Sequence, residues 1–157
     1  MTNDFNPDLI DSATGVQVQS DGAIVASISG TVTQSIDFTL ARFSANGSLD
    51  QTFVAHFPGY SASSPYDLVV QSDGRIVVAG EVFSPSFAGN FAVARFLSTG
   101  ALDSSFSGDG MRVTRFSPGD DSGLATALQP NGRILVVGFT SMGAFTRGIA
   151  AARYLGS

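Results

Sequence analysis

Apolar residues in this chain come in short bursts, and polar turn residues separate them. Val16-Gln-Val-Gln19 alternates apolar and polar with period two, and Leu68 to Gln71 does so more loosely. That period belongs to a strand with one buried face. An Asp-Gly or Asn-Gly pair follows, ending at Gly22, Gly74 and Gly132. Such a pair is the strongest short hairpin signal, because a type I′ turn needs positive φ at both central residues. The expectation is a two-residue hairpin with each of these glycines at positive φ. Next come the runs Ala23 to Ile28, Arg75 to Ala79 and Arg133 to Val137. They are continuous and β-branched, as suits a strand buried on both faces. A variable Gly/Ser loop leads to a third strand ending in Ala-Arg-aromatic. The fourth strand is the weakest, at Phe53 to Phe57 and at Met111 to Phe116.

These bursts repeat. Gln19-Ser-Asp-Gly22-Ala-Ile-Val25 recurs as Gln71-Ser-Asp-Gly74-Arg-Ile-Val77 and as Gln129-Pro-Asn-Gly132-Arg-Ile-Leu135. Phe38-Thr-Leu-Ala-Arg-Phe43 recurs as Phe91-Ala-Val-Ala-Arg-Phe96 and Ile149-Ala-Ala-Ala-Arg-Tyr154. Gly47-Ser-Leu-Asp-Gln-Thr-Phe53 recurs once, as Gly100-Ala-Leu-Asp-Ser-Ser-Phe106. From Gln to Arg the spacing is 23, 24 and 24 residues, and from Arg to the next Gln it is 29 and 34. Four antiparallel strands per unit of roughly 55 residues is the pattern of a propeller blade. A β-solenoid has shorter coils without hairpin signals, and a β-sandwich does not repeat its sequence in this way. The predicted fold is all-β: three four-stranded blades at about 11–60, 61–116 and 117–157. Residues 1–10 are expected as a fourth strand completing the last blade, since Asp4-Phe5 resembles the end of the Leu-Asp-x-x-Phe block.

The middle copy carries a resemblance. Gln71-Ser-Asp-Gly-Arg-Ile-Val-Val-Ala-Gly80, Phe91-Ala-Val-Ala-Arg-Phe96 and Gly100-Ala-Leu-Asp-Ser-Ser-Phe106 resemble the delta-60 repeat family, propeller-like repeats of large bacterial surface and secreted proteins. Copy one departs at Ala26-Ser-Ile28, where the others end apolar-Ala-Gly or similar, and copy three stops after Tyr154. The resemblance implies a propeller-like fold and an extracellular or cell-surface setting. It implies no catalytic or ligand residues.

Composition narrows the function. All eight basic residues are Arg, scattered along a chain of net charge −5. A nucleic-acid binder needs a basic stripe, so neither nucleic acid nor an anionic membrane is an expected partner. Without Cys, disulfides, thiolate metal sites and Cys nucleophiles are excluded. Met1-Thr-Asn-Asp-Phe-Asn-Pro7 has neither a charged n-region nor an apolar h-region, so no signal peptide is expected. The chain is then either cytoplasmic or begins inside a longer exported protein.

The candidate chemistry is sparse. His56 is the only histidine, and zinc needs more ligands than that. Asp109, Asp120 and Asp121 lie among Gly and Ser, without the alternation and closing Glu of an EF-hand loop. They read as turn residues. Neither a metal nor another cofactor is expected, and no catalytic set emerges. Arg42, Arg95 and Arg153 recur in phase, as do Asp50 and Asp103 eight residues after the first two. A charge repeated beside an apolar sheet needs a partner, so these five residues are expected to form structural clamps rather than a ligand-reading ring. Phe38, Phe43, Phe91, Phe96 and Tyr154 are in phase with the strands and read as packing. Tyr60 and Tyr66, in a Ser-rich stretch, are the expected ligand contacts. The predicted function is a non-catalytic scaffold for protein assembly or ligand contact. The alternative is a lectin-like glycan binder with sites between blades. Three blades are too few to close a ring, so a six-bladed head-to-tail homodimer is expected.

Overall fold

The computed structural model describes residues 12–30, 36–143 and 146–156. Eleven strands are present among them and no helix: β1 (Ser12–Val18), β2 (Ile24–Ser29), β3 (Phe38–Phe43), β4 (Leu49–Ala55), β5 (Ala62–Val70), β6 (Ile76–Phe83), β7 (Gly89–Phe96), β8 (Met111–Thr114), β9 (Asp121–Leu128), β10 (Ile134–Gly143) and β11 (Thr146–Tyr154). They form three antiparallel sheets in sequential order, β1-β2-β3-β4, β5-β6-β7-β8 and β9-β10-β11. The third sheet therefore shows three strands where four were expected. The segment assigned to the missing strand, residues 1–10, lies outside the described residues.

The hairpins differ from expectation in one respect. The first closes with Gln19 N–H to Ala23 O at 2.7 Å and Gly22 N–H to Gln19 O at 3.0 Å. The loop thus holds three residues rather than two. Gly22 stands at φ +83°, while Asp21 is not among the positive-φ residues. This is a type I turn followed by a left-handed residue, a geometry that needs glycine only at the last position. Asp21 contributes otherwise: its Oδ1 accepts the Ala23 N–H at 3.0 Å. The turns at Gly74 and Gly132 repeat the arrangement, at φ +85° and +79°.

The second sheet packs one face on the first sheet and the other on the third. Val25, Phe38 and Leu40 of the first sheet share a core with Leu68, Ile76, Val78 and Phe96 of the second. Val77, Ala79, Phe91 and Val93, on the opposite face of the second sheet, share a core with Ile134, Val136 and Ala150 of the third. Hence β6 is buried on both faces, as its unbroken apolar run requires. The equally apolar β10 is not: Ile134 and Val136 are buried, but Val137 is exposed. Its second face has no sheet against it among the described residues. Close approach also dictates sequence here, since a Cβ at Gly80 would lie 2.0 Å from Ser64 O and 2.9 Å from Phe38 Cζ.

The two Leu-Asp-x-x-Phe blocks fold differently. Residues 49–53 run straight on as β4, with Gln51 opposite Arg42 and Phe53 opposite Leu40. Leu102 makes only a single bridge to Phe96. The chain then turns through Asp103 and Phe106 before β8 begins. The middle copy inserts Ser107-Gly-Asp-Gly110, with Ser107, Gly108 and Gly110 all at positive φ. Both phenylalanines still reach the next sheet: Phe53 meets Phe96 at 6.0 Å and Phe106 meets Tyr154 at 6.2 Å between ring centroids.

Candidate functional site: the arginine row and the open third sheet

The three phased arginines stand at equivalent places near the ends of β3, β7 and β11, and their surroundings differ. Arg42 Nε donates to Gln19 Oε1 at 2.8 Å, Nη1 to Asp50 Oδ2 at 2.8 Å and Nη2 to Asp21 Oδ2 at 2.7 Å. Its side chain stays 22% exposed, and both carboxylates face solvent. Such a pair contributes little. The Asp21 pKa is lowered, chiefly by its bond from the Ala23 N–H; burial opposes this, and the charge of Arg42 adds to the lowering.

Arg95 is 1% exposed. Its Nε lies 2.8 Å from Asp103 Oδ2, an ionic contact rather than an aligned hydrogen bond. Nη2 donates to Ser105 Oγ at 2.8 Å and Nη1 to the Gly156 carbonyl at 2.7 Å. The Phe106 ring lies 5.0 Å from the guanidinium carbon. Asp103 is also 2.9 Å from Arg75 Nε. Burial pushes its pKa up, but the hydroxyl and N–H of Ser105, then the charges of Arg95 and Arg75, outweigh burial and hold the carboxyl below its usual value.

Arg153 is exposed and meets no carboxylate among the described residues. The third clamp is therefore not assembled there. Beside Arg153 lies a cleft of about 400 Å³ lined by Ser105, Phe106, Arg112, Arg153, Tyr154 and Leu155.

The face that carries Arg153 is open. Val77, Ala79, Phe91, Val93 and Arg95 are all buried against the third sheet. Their counterparts on the third sheet are Leu135, Val137, Ile149, Ala151 and Arg153. Ile149 is 93% exposed where Phe91 is fully buried. Arg147 covers part of this face, with its guanidinium 3.9 Å from the Phe139 ring centroid.

At this point the similarity to known proteins becomes informative. The model of a β-propeller domain family of unknown function (DUF5122) matches residues 19–53 and 71–106. Each stretch runs from the turn glutamine, through the arginine, to the phenylalanine of the Asp-x-x-Phe block. The chain is similar to a β-propeller family. Among solved structures, a protein of unknown function from Bacteroides caccae is similar at 15% identity and a TM-score of 0.49, over 81% of this chain and 38% of that one. This chain thus spans well under half the length of that structure. No curated protein matches.

The expected ligand contacts are not exposed platforms. Tyr60 is half-buried and packs on the core between the first two sheets. Tyr66 lies on β5 rather than in a loop, half-buried, with its hydroxyl donated to Glu81 Oε1. Burial, then the bond to Glu81 and its charge, push the Tyr66 pKa well above its usual value. His56 follows β4, with Nδ1 3.0 Å from Asp37 Oδ1. Asp109 accepts the Met111 N–H, Asp120 the Gly89 N–H, and Asp121 the N–H groups of Phe116 and Ser117. All three hold turns or neighbouring backbone, and no group of three or more metal-capable side chains occurs among the described residues. Two relationships had no local signal in the sequence. One is the Tyr66–Glu81 pair. The other is the Gly156 carbonyl, which takes Arg95 at 2.7 Å and Gln71 Nε2 at 3.3 Å.

Proposed function

We propose that this chain is a non-catalytic assembly scaffold of propeller-type blades, extended by a further repeat sheet docked on the open face of its third sheet. One observation carries the reading. Phe91 and its neighbours are wholly buried by the following sheet, whereas Ile149 and the equivalent residues are left open. An apolar face of this kind marks an interaction site. The sheet that fits has the apolar pattern of Ile76, Val78, Ala92 and Ala94, because that pattern already packs on the equivalent face one repeat earlier. The first sheet carries it as Ile24, Ala26, Thr39 and Ala41. A second copy, joined head to tail, gives six blades, within the range that closes a ring. Ala26, Ile28 and Ala41 already form a buried apolar cluster on this face of the first sheet. Resemblance of the middle copy to delta-60 repeats of bacterial surface and secreted proteins supports an exported setting.

Cross-linking tests the reading in a chain with no native Cys. Phe91 Cδ2 and Val136 Cγ1 both lie within 3.5 Å of the Cβ position of Gly123, so the two side chains are neighbours across the internal interface. Their counterparts across the proposed one are Ile149 and Ala26. Mixing an Ile149→Cys chain with an Ala26→Cys chain and oxidising should give a reducible two-chain species. Failure to cross-link while both chains remain folded overturns the proposed interface.

A further inference from the structure

We infer that the cleft between the β1–β2 turn and the β5–β6 turn is a binding site for a neutral sugar. The inference goes beyond the scaffold reading and holds equally for one chain or two. The cleft has a volume of about 470 Å³, within the size range of small-molecule sites. Gln17, Gln19 and Arg42 of the first sheet line one side, and Ser72, Asp73 and Ser98 of the second line the other. Every lining residue lies between Gln17 and Ser98, well inside the chain.

The space is open because the two arginine blocks fold differently. After Arg95 the chain turns through Asp103 to Phe106, and the Ser105 hydroxyl and the Phe106 ring close over the guanidinium. After Arg42 the chain runs straight on as β4, with Gln51 opposite the arginine. Arg42 therefore keeps an open side, and the polar groups around it border the cleft.

The charges in the cleft are already matched, which selects a neutral ligand. Arg42 uses all three of its nitrogens, on Gln19, Asp50 and Asp21, so no bare guanidinium is left to draw an anion. Asp21 is paired with Arg42, and Asp73 with Arg75. No group of three or more metal-capable side chains occurs among the described residues, so a cation lacks a ligand set. The groups that remain suit hydroxyls. The amide of Gln17 and the hydroxyls of Ser72 and Ser98 can each donate and accept. All three residues are exposed at the cleft, and none of these groups has a hydrogen-bond partner among the described residues. Gln19 is buried and accepts Arg42 through Oε1, a bond that fixes its amide and leaves Nε2 as an oriented donor. The carboxylate oxygens of Asp21 and Asp73 each carry a second lone pair. A sugar ring presents adjacent hydroxyls that both donate and accept, together with an apolar C–H face. Val70, also in the wall, offers that face an apolar surface.

Amide NMR spectra of the isotope-labelled full chain test the site. The probes are the methyl glycosides of glucose, galactose, mannose and N-acetylglucosamine, each titrated separately, with inorganic phosphate and calcium chloride in parallel. Saturable shifts are expected with at least one glycoside, at the backbone amides of residues 17–21 and 71–74 and at the side-chain amides of Gln17 and Gln19. A chain carrying both Gln17→Ala and Ser98→Ala changes exposed positions only, so it keeps its fold. It should bind that glycoside about tenfold more weakly. No saturable shift with any glycoside, shifts confined to other residues, or undiminished binding by the double variant overturns the inference. Shifts at these residues with phosphate or calcium and with no glycoside overturn it as well. The scaffold reading is judged separately, by the mass of the unaltered chain.

Discussion

Arg95 and Arg153 hold the same place in successive sheets and sit in opposite environments. The first is enclosed by Asp103, Ser105, Phe106 and the Gly156 carbonyl, whereas the second faces solvent. Truncation should separate them. Arg95→Ala leaves Asp103 buried beside Arg75 alone and should cost about 3 kcal/mol. Arg153→Ala should change stability by less than about 0.5 kcal/mol. Equilibrium urea denaturation of the two variants checks this, and equal losses would show that the environments do not differ.

The Asp103 carboxyl also predicts an acid limb. Its folded pKa is below the usual 3.8. Its stabilising contribution is therefore present above the unfolded pKa and is lost as pH falls through the lower folded value. Asp103→Asn should flatten the fall of melting temperature below pH 4 and lower stability at neutral pH. An unchanged acid limb would show that other carboxylates set it.

Turn geometry gives a gain and a loss. Phe87 sits at φ +64° with its side chain 78% exposed, a strained conformation with little packing to offset it. Phe87→Gly should raise stability by roughly 1 kcal/mol. Gly74, at φ +85°, is the converse, and Gly74→Val should lower stability by roughly 1–2 kcal/mol. Thermal melts of both variants decide, and opposite signs for either would contradict the turn assignment.

Tyr66 predicts an alkaline limb. Its folded pKa is raised, so its contribution is present below the ordinary tyrosine value of 10 and is lost as pH rises beyond that. Tyr66→Phe leaves Glu81 buried without this donor and should cost about 1–3 kcal/mol. Ultraviolet titration should show a tyrosine step far later than an ordinary one, and Tyr66→Phe should remove the latest step.

The relationships legible in the sequence were local or periodic ones. The Asp-Gly and Asn-Gly pairs mark hairpins because the glycine conformation is a property of two or three residues. They do not encode loop length, and hence two residues were expected where Gln19 to Ala23 encloses three. Arg42 and Asp50 lie on adjacent strands joined by one short turn, so their spacing places them side by side. The identical spacing of Arg95 and Asp103 hid a different route, because the four residues from Ser107 to Gly110 turn the strand into a compact loop. Tyr66 looked exposed because Pro65 and the register shift at Pro65/Asp67 interrupt the alternation of β5. Glu81, which holds its hydroxyl, is on the neighbouring strand. The openness of β10 and β11 was not written in their residues at all. Leu135 and Val137 are as apolar as Val77 and Ala79, and only the presence or absence of a following sheet separates them.

The central claim is that the open face of the third sheet is covered by a second copy. Multi-angle light scattering on the purified chain at micromolar concentration tests it most directly. The account predicts a mass twice the 16.2 kDa of one chain, falling to the single-chain value in the Ile149→Lys variant. A mass of 16.2 kDa for the unaltered chain throughout the micromolar range would contradict it.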